Sequence, residues 1–299
     1  MLAYQGDTSA ARAAADAAVK DAGYLGEYWQ GVALAALAVA ALAAGDVVMA
    51  ASASESAGKP LRVHPAAALN LDPAAEIALA RGDLVAARCL ADDAVSVTTG
   101  WHLASALSTR ARVAIAQGEP GQAEQDSYDA LACSAEVEAH QPVPNILECL
   151  ADLAGRAGSH REAARLFGAA DGIRQRTGAV RFTIYNADYD ASVAAVRNAM
   201  GDEDFQSAHA EGSALSTKEA IAYAQRGRGE RKRPTSGWES LTPTERDVVR
   251  LVTEGLGNKD IATRLFVSPR TVQSHLTHVY TKLGLSSRVQ LVQEAARHA

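Results

Sequence analysis

The chain has 299 residues, 48% hydrophobic but only 5% aromatic, enough apolar content for one large or two medium folded domains, and an alanine- and leucine-rich text that favours packed helices over sheets. Its net charge of −6 is uneven: residues 226–299 carry thirteen Lys/Arg against seven Asp/Glu, a net of +6, which leaves −12 on residues 1–225. An acidic body with a basic end suggests that the C-terminal part meets a polyanion, although charge alone does not separate DNA, RNA and membrane surface.

In chain order, the opening "MLAYQGDTSAAR" has neither a basic start nor a long apolar core, so no secretory signal is expected. The uncharged run Val32–Ala44 falls short of the ~20 residues that cross a bilayer and is read as a core helix. Cys89, Cys133 and Cys149 stand far apart without CxxC spacing, as buried free thiols of a reducing, cytoplasmic compartment would.

A short pattern recurs at Gly6-Asp7, Gly45-Asp46, Gly82-Asp83, Gly118-Glu119 and Gly158-Ser159, with glycine spacings of 39, 37, 36 and 40. The fifth residue after each glycine is alanine: Ala11, Ala50, Ala87, Ala123 and Ala163. A glycine suits a left-handed helix C-cap, the acidic or hydroxyl residue suits the next helix start, and a small alanine lets two helices approach. Each unit is therefore a helical hairpin, and the period predicts an α-solenoid, with an irregular helical bundle as the alternative. The units resemble degenerate tetratricopeptide repeats, keeping the small-residue positions and lacking most aromatic ones. Gly6 falls in mid-hairpin, so the chain is expected to begin inside a repeat and to be part of a longer protein. Residues 179–225, with a β-prone run at Val180–Tyr185, read as an atypical closing cap. The whole of residues 1–224 is taken as the repeat domain.

Residues 225–237, "QRGRGERKRPTSG", are Gly-, Pro- and Arg-rich and read as a flexible basic linker. From Trp238 to Ala299 four short helices are punctuated clearly. Thr242-Pro-Thr-Glu245 is a capping box opening the first, and Asn258 is placed to cap the second. Ser268 caps the third, Pro269 occupies its first turn and Gly284 ends it; the fourth runs from Ser287 to about Arg297. Two helices joined by so short a link form a helix-turn-helix. Val272, Leu276, Val279 and Leu283 mark the buried stripe of the third helix, leaving Arg270, Gln273, Ser274, Thr277 and Thr281 outward. Short hydrogen-bonding side chains near a helix start match base edges in a major groove, while hydroxyls and the helix N-terminus suit phosphate.

The stretch Leu241–Val292, with "LTPTE", "GNKDIATRL", "VSPRTVQSH" and "KLGLSSR", resembles the LuxR-type (GerE-like) helix-turn-helix domain of bacterial transcription regulators. The resemblance implies DNA reading by the third helix, with base-reading positions at Gln273, Ser274 and Thr277. It implies phosphate contacts at Lys259, Thr271, His275 and Lys282, to which Ser268, Arg270 and Arg288 are added from their placement. Members often pair through the fourth helix, here Val289, Val292 and Ala296. Helical repeats ahead of such a domain resemble the large ATP-binding LuxR-type regulators, yet no G-x-x-x-x-G-K-[ST] loop occurs in these residues and no cofactor is assigned.

Other chemistry has less support. His275 and His278 are three apart, but no third ligand stands at motif spacing, so no metal is assigned. No strained glycine elbow or paired carboxylates suggest catalysis, and the chain is read as a non-enzyme. The expectation is an all-α, sequence-specific regulator of promoter DNA whose repeats sense a partner or ligand, with a homodimer on DNA and no membrane partner. The alternative is a repeat scaffold whose terminal domain docks protein.

Overall fold

The computed structural model describes residues 2–61, 68–231, 238, 241, 243–265, 269–285 and 287–296, and at some of these positions the backbone alone. The chain divides into two compact units, Met1–Gln225 and Arg226–Ala299. Among the described residues every regular element is helical.

The first unit opens with a 3-10 turn, Leu2–Gln5, and α1, Thr8–Ala22. Four hairpins follow: α2 (Glu27–Ala44) with α3 (Val47–Leu61), α4 (Ala68–Ala80) with α5 (Leu84–Val97), α6 (Gly100–Gln117) with α7 (Pro120–Glu136), and α8 (Val143–Arg156) with α9 (His160–Thr177). The first helices α2, α4, α6 and α8 touch in series, so the hairpins stack as a solenoid. All five repeat glycines have φ between +75° and +82°. In the α2–α3 turn, for example, Gly45 N–H donates to the Leu42 carbonyl (3.0 Å) and Asp46 N–H to that of Ala41 (2.9 Å). This paired bonding satisfies the last carbonyls of the helix, and the left-handed residue it needs is strained with any side chain. Asp46 then caps the next helix through its carboxylate and the Met49 N–H, 3.0 Å away, and Asp7 and Asp83 act likewise. Ala50, Ala87, Ala123 and Ala163 are wholly buried and Ala11 nearly so, as their common offset predicts.

Helix α2 is long and apolar enough to cross a membrane by length and composition, but half of it is buried inside the repeats against α1, α3 and α4. A core role for the Val32–Ala44 run accounts for its alanine content, because α1 and α3 lie close on either side. Of the three cysteines only Cys149 is buried; Cys89 is exposed and Cys133 half-buried, which corrects the expectation of three core thiols. Cys89 lies two positions from both Ala87 and Ala91, which are buried on α5, so helical periodicity turns it outward.

The β-prone run after the fifth repeat does not form a strand. It makes a 3-10 turn, Thr183–Tyr185, and runs back to the first repeat. Val180 N–H donates to the Tyr4 carbonyl (2.8 Å), the Thr183 hydroxyl to that of Ala43 (3.0 Å), and the Tyr185 hydroxyl to Glu76 Oε1 (2.5 Å). Helices α10 (Asn186–Met200), α11 (Asp202–Ser213) and α12 (Thr217–Arg231) close the unit. Helix α11 lies almost in backbone contact with α9: a Cβ on Gly212 would meet the Arg165 carbonyl oxygen at 1.9 Å, and one on Gly168 that of His209 at 2.0 Å. Helix α12 starts from a reciprocal Ser216–Glu219 capping box and continues to Arg231. Residues 225–231, expected in the linker, are therefore helical. The capping box nucleates a helix that Glu, Gln and Arg sustain, and the first proline comes at position 234.

Within this unit Glu148 is buried beneath three arginines, with oxygen distances of 3.3 Å to Arg112, 3.0 Å to Arg174 and 2.8 Å to Arg181. Burial alone would raise its carboxyl; the three guanidinium groups outweigh that and hold it below the usual range. Nothing in the local sequence pattern marks Glu148, which stands at a helix position like any other.

The second unit holds α13 (Pro243–Thr253), α14 (Asn258–Leu265), α15 (Pro269–Leu283) and α16 (Arg288–Ala296). Leu241, Val248, Leu251, Val252, Ile261, Val272, Leu276, Val279 and Leu291 form its core. Large branched side chains close a core of four short helices that alanine would leave too small.

Candidate nucleic-acid interface

Helix α15 is held by one stripe and free on the other. Val272, Leu276 and Val279 are buried and Leu283 packs at the core margin, whereas Gln273, Thr277 and Thr281 are exposed. The period-3.6 pattern is sufficient to produce both faces. Gly284, at φ +65°, ends the helix, with Leu285 N–H donating to the Tyr280 carbonyl (2.9 Å).

The side chain of Asn258 does not cap α14. The Gly257 carbonyl already receives the Ile261 N–H (2.9 Å), and the Asn258 amide turns instead to α15 and α16. Its Nδ2 donates to Gln273 Oε1 at 2.9 Å, and its Oδ1 accepts from Arg288 Nη1 at 3.1 Å. Arg288 also donates through Nη2 to the Leu256 carbonyl. Thr277 donates its hydroxyl proton to the Gln273 carbonyl (3.0 Å), which leaves its oxygen lone pairs and methyl group outward.

Two cations expected at phosphate are engaged inside the domain. Lys282 Nζ sits 2.7 Å from Glu245 Oε2 and 3.0 Å from Oε1, and that carboxylate is buried. The last turn of α15 is thereby bolted to the first turn of α13. Arg288 is drawn inward by Asn258 and the Leu256 carbonyl, because a guanidinium supplies enough donors to close both. Lys259 is exposed on the first turn of α14.

Residues 239–295 match the bacterial regulatory proteins of the luxR family. The C-terminal domain is a LuxR-family domain. The full chain is similar to an HTH-type transcriptional regulator of Mycobacterium bovis, Mb0914c, and to its Mycobacterium tuberculosis counterpart Rv0890c. Each is 61% identical over 298 residues, covering 99% of this chain and 34% of the relative. The chain thus spans about a third of the length of these relatives. The oxygen regulatory protein NreC of Staphylococcus aureus is 31% identical over 122 residues, 41% of this chain and 54% of that protein. No solved structure matches the chain.

Within the LuxR-type domain, the described candidates Gln273 and Thr277 share one exposed face one helical turn apart. Ser268 lies outside the described residues, as does the Thr242 of the expected capping box. The side chains of Arg270, Thr271, Ser274, His275, His278, Val289 and Ala296 also lie outside them. Val292 is exposed on α16 while Leu291 and Ala295 turn into the core. What sequence reasoning missed is Asn258. Its position before a helix resembles a cap, and only the approach of α15 and α16 reveals its other partners.

Proposed function

We propose that the chain is a sequence-specific DNA-binding transcriptional regulator of the cytoplasm, with α15 reading the major groove of promoter DNA and the repeats receiving a signal. The observation that carries this reading is the exposed Gln273–Thr277 face of a helix whose opposite stripe forms the core of a LuxR-type domain. Gln273, Ser274 and Thr277 are assigned to base edges, and Lys259, Ser268, Arg270, Thr271 and His275 to phosphate. Lys282 and Arg288 serve the domain's own frame in this reading. Val289, Val292 and Ala296 are assigned to pairing of two copies on DNA. No catalytic role or cofactor is assigned.

For the signal, the repeats hold a cavity of about 590 Å³ whose walls include Tyr4, Ala14, Val39, Asp72, Trp101 and His102. It is largely apolar and of a size that takes a small molecule. Asp72 Oδ2 accepts from Ser105 (2.7 Å), while its Oδ1 is buried and accepts no hydrogen bond. A ligand with an apolar body and an ammonium head would add to the partial counter-charge that His102, on the same wall, gives Asp72. Alkyl and aryl amines should therefore raise the melting temperature more than the matching alcohols, and Asp72→Asn should abolish the difference.

The DNA reading is tested by selecting bound duplexes from a random library with the full chain and measuring affinity against salt. Gln273→Ala with Thr277→Ala should relax sequence preference without moving the melting temperature. Unchanged preference and affinity in that double variant would reject α15 as the reading helix.

A further inference from the structure

The three polar side chains Arg288, Asn258 and Gln273 form a chain whose direction is dictated by chemistry. A guanidinium has donors and no acceptor, so the Asn258 atom facing Arg288 Nη1, 3.1 Å away, has to be its oxygen. The other end of that amide, Nδ2, is only a donor, so the Gln273 atom 2.9 Å from it has to be Oε1. Gln273 is then left with its Nε2 amino group turned away from Asn258, on the exposed face of α15. The far end of the chain is anchored as well, because Arg288 donates to the Leu256 carbonyl just ahead of α14. A glutamine on an exposed helix ordinarily presents its amide in either sense, donor or acceptor outward, at little cost. Here one sense is imposed by three helices.

We infer that Asn258, itself oriented by Arg288, is a positioning residue for base specificity: it presents the Gln273 amino group to the groove, so the domain selects a base edge rich in acceptors. This rests on the reading of α15 as the groove helix. Guanine, with adjacent N7 and O6 acceptors, fits the outward donors best, and cytosine, whose N4 amino group is a donor, fits worst. The pairing of glutamine with adenine uses both the amide oxygen and the amino group, and is disfavoured because Oε1 is turned towards Asn258. The neighbouring Thr277 complements this face with an oxygen acceptor and a methyl group, since its proton is given to the Gln273 carbonyl.

The test is the substitution Asn258→Asp in the full chain. An aspartate keeps an oxygen for Arg288, but turns a second oxygen towards Gln273, so the Gln273 amide has to rotate and show its oxygen to the groove. Duplexes selected by the variant should exchange guanine for a donor-bearing base, cytosine or adenine, at one base pair of each site. Affinities for the two matched duplexes, measured by fluorescence anisotropy, should invert by roughly tenfold. Gln273→Glu, a change at an exposed position that leaves Arg288 and Asn258 paired, should shift the same base pair in the same direction without touching the domain's frame. The inference is overturned if Gln273→Ala alters preference at one base pair while Asn258→Asp, folded by its melting curve, keeps the wild-type base there. It is equally overturned if Gln273→Glu retains guanine. If Gln273→Ala leaves every base preference unchanged, the groove reading itself fails, and the inference with it.

Discussion

The two units solve the problem of closing a helical core in opposite ways. The repeat region buries small side chains and brings helices close, to the point that α9 and α11 meet backbone to backbone at Gly168 and Gly212. The LuxR-type domain buries Val, Leu and Ile and keeps its third helix half free. The repeat region also encloses charge, with Glu148 under three arginines, whereas in the domain the buried Glu245 carboxylate meets Lys282. The lesson is that repetition of a small-residue contact builds an extended body with room for internal polar clusters. A four-helix domain of this size has to spend nearly all its large side chains on one core and can then spare one face for recognition.

Substitutions that strike one unit and spare the other sharpen this contrast, and hydrogen exchange followed by mass spectrometry locates each effect. The largest effect is expected for Glu148→Gln, which takes the shared counter-charge from three nearly buried guanidinium groups and leaves Arg181 with Asp171. It should cost roughly 3–5 kcal/mol in the repeat region alone. The same cluster sets an acid limit. The Glu148 carboxyl lies below its usual range when folded, so its contribution is present at neutral pH and is lost as pH falls through the folded value. Acid unfolding monitored by circular dichroism should begin at higher pH for a variant with Arg174→Met, which removes one of the partners.

Gly212→Ala comes next. Its added methyl group would sit 1.9 Å from the Arg165 carbonyl oxygen and force α9 and α11 apart, at roughly 3 kcal/mol. Urea unfolding should show that loss in the repeat transition, and protection in α13–α16 should stay unchanged. A similar loss in both units would mean that they unfold together, which would break the comparison.

Lys282→Met addresses the other side. It removes the ion pair to the buried Glu245 carboxylate and should cost the LuxR-type domain roughly 2 kcal/mol, less than a fully buried pair because Lys282 keeps some solvent. In DNA titrations it should act through stability, without reducing the salt slope in the folded fraction. A slope lower by about one would return Lys282 to the phosphate.

The effect that shows only as pH rises concerns Glu76, pushed up to about 8, first by burial and then by the neighbouring Asp72. The hydrogen bond from Tyr185 and the charge of Arg112 oppose the shift, and the nearby Tyr4 shares the site. Because the folded chain holds a proton that the unfolded chain has released, stability falls as pH rises from the ordinary glutamate range to about 8. Glu76→Gln should flatten that slope, with a higher melting temperature than the wild type at pH 8 and little difference at pH 5.

Much of this molecule is written locally. The five glycines and five alanines at constant offsets are enough to place the hairpins, because a left-handed cap and a small contact residue are requirements of single positions. The faces of α15 follow from Val272, Leu276 and Val279 in the same way. Other features are not local. The run 180–185 has strand propensity, yet its backbone partners are Tyr4 and Ala43, far away in sequence. Asn258 has the residue type of a cap and acts as a bridge, and Lys282 has the type of a phosphate ligand and seals Glu245.

The sequence by itself determined the all-α class, the repeat period, the C-terminal helix-turn-helix and the outward face carrying Gln273 and Thr277, since helix periodicity and capping depend on residues within a few positions of one another. Only the tertiary structure decided which polar side chains are turned inward and in which sense the Gln273 amide points. Hydrogen-bond direction is set by what lies opposite each group, and for Gln273, Asn258 and Arg288 that is a side chain on another helix.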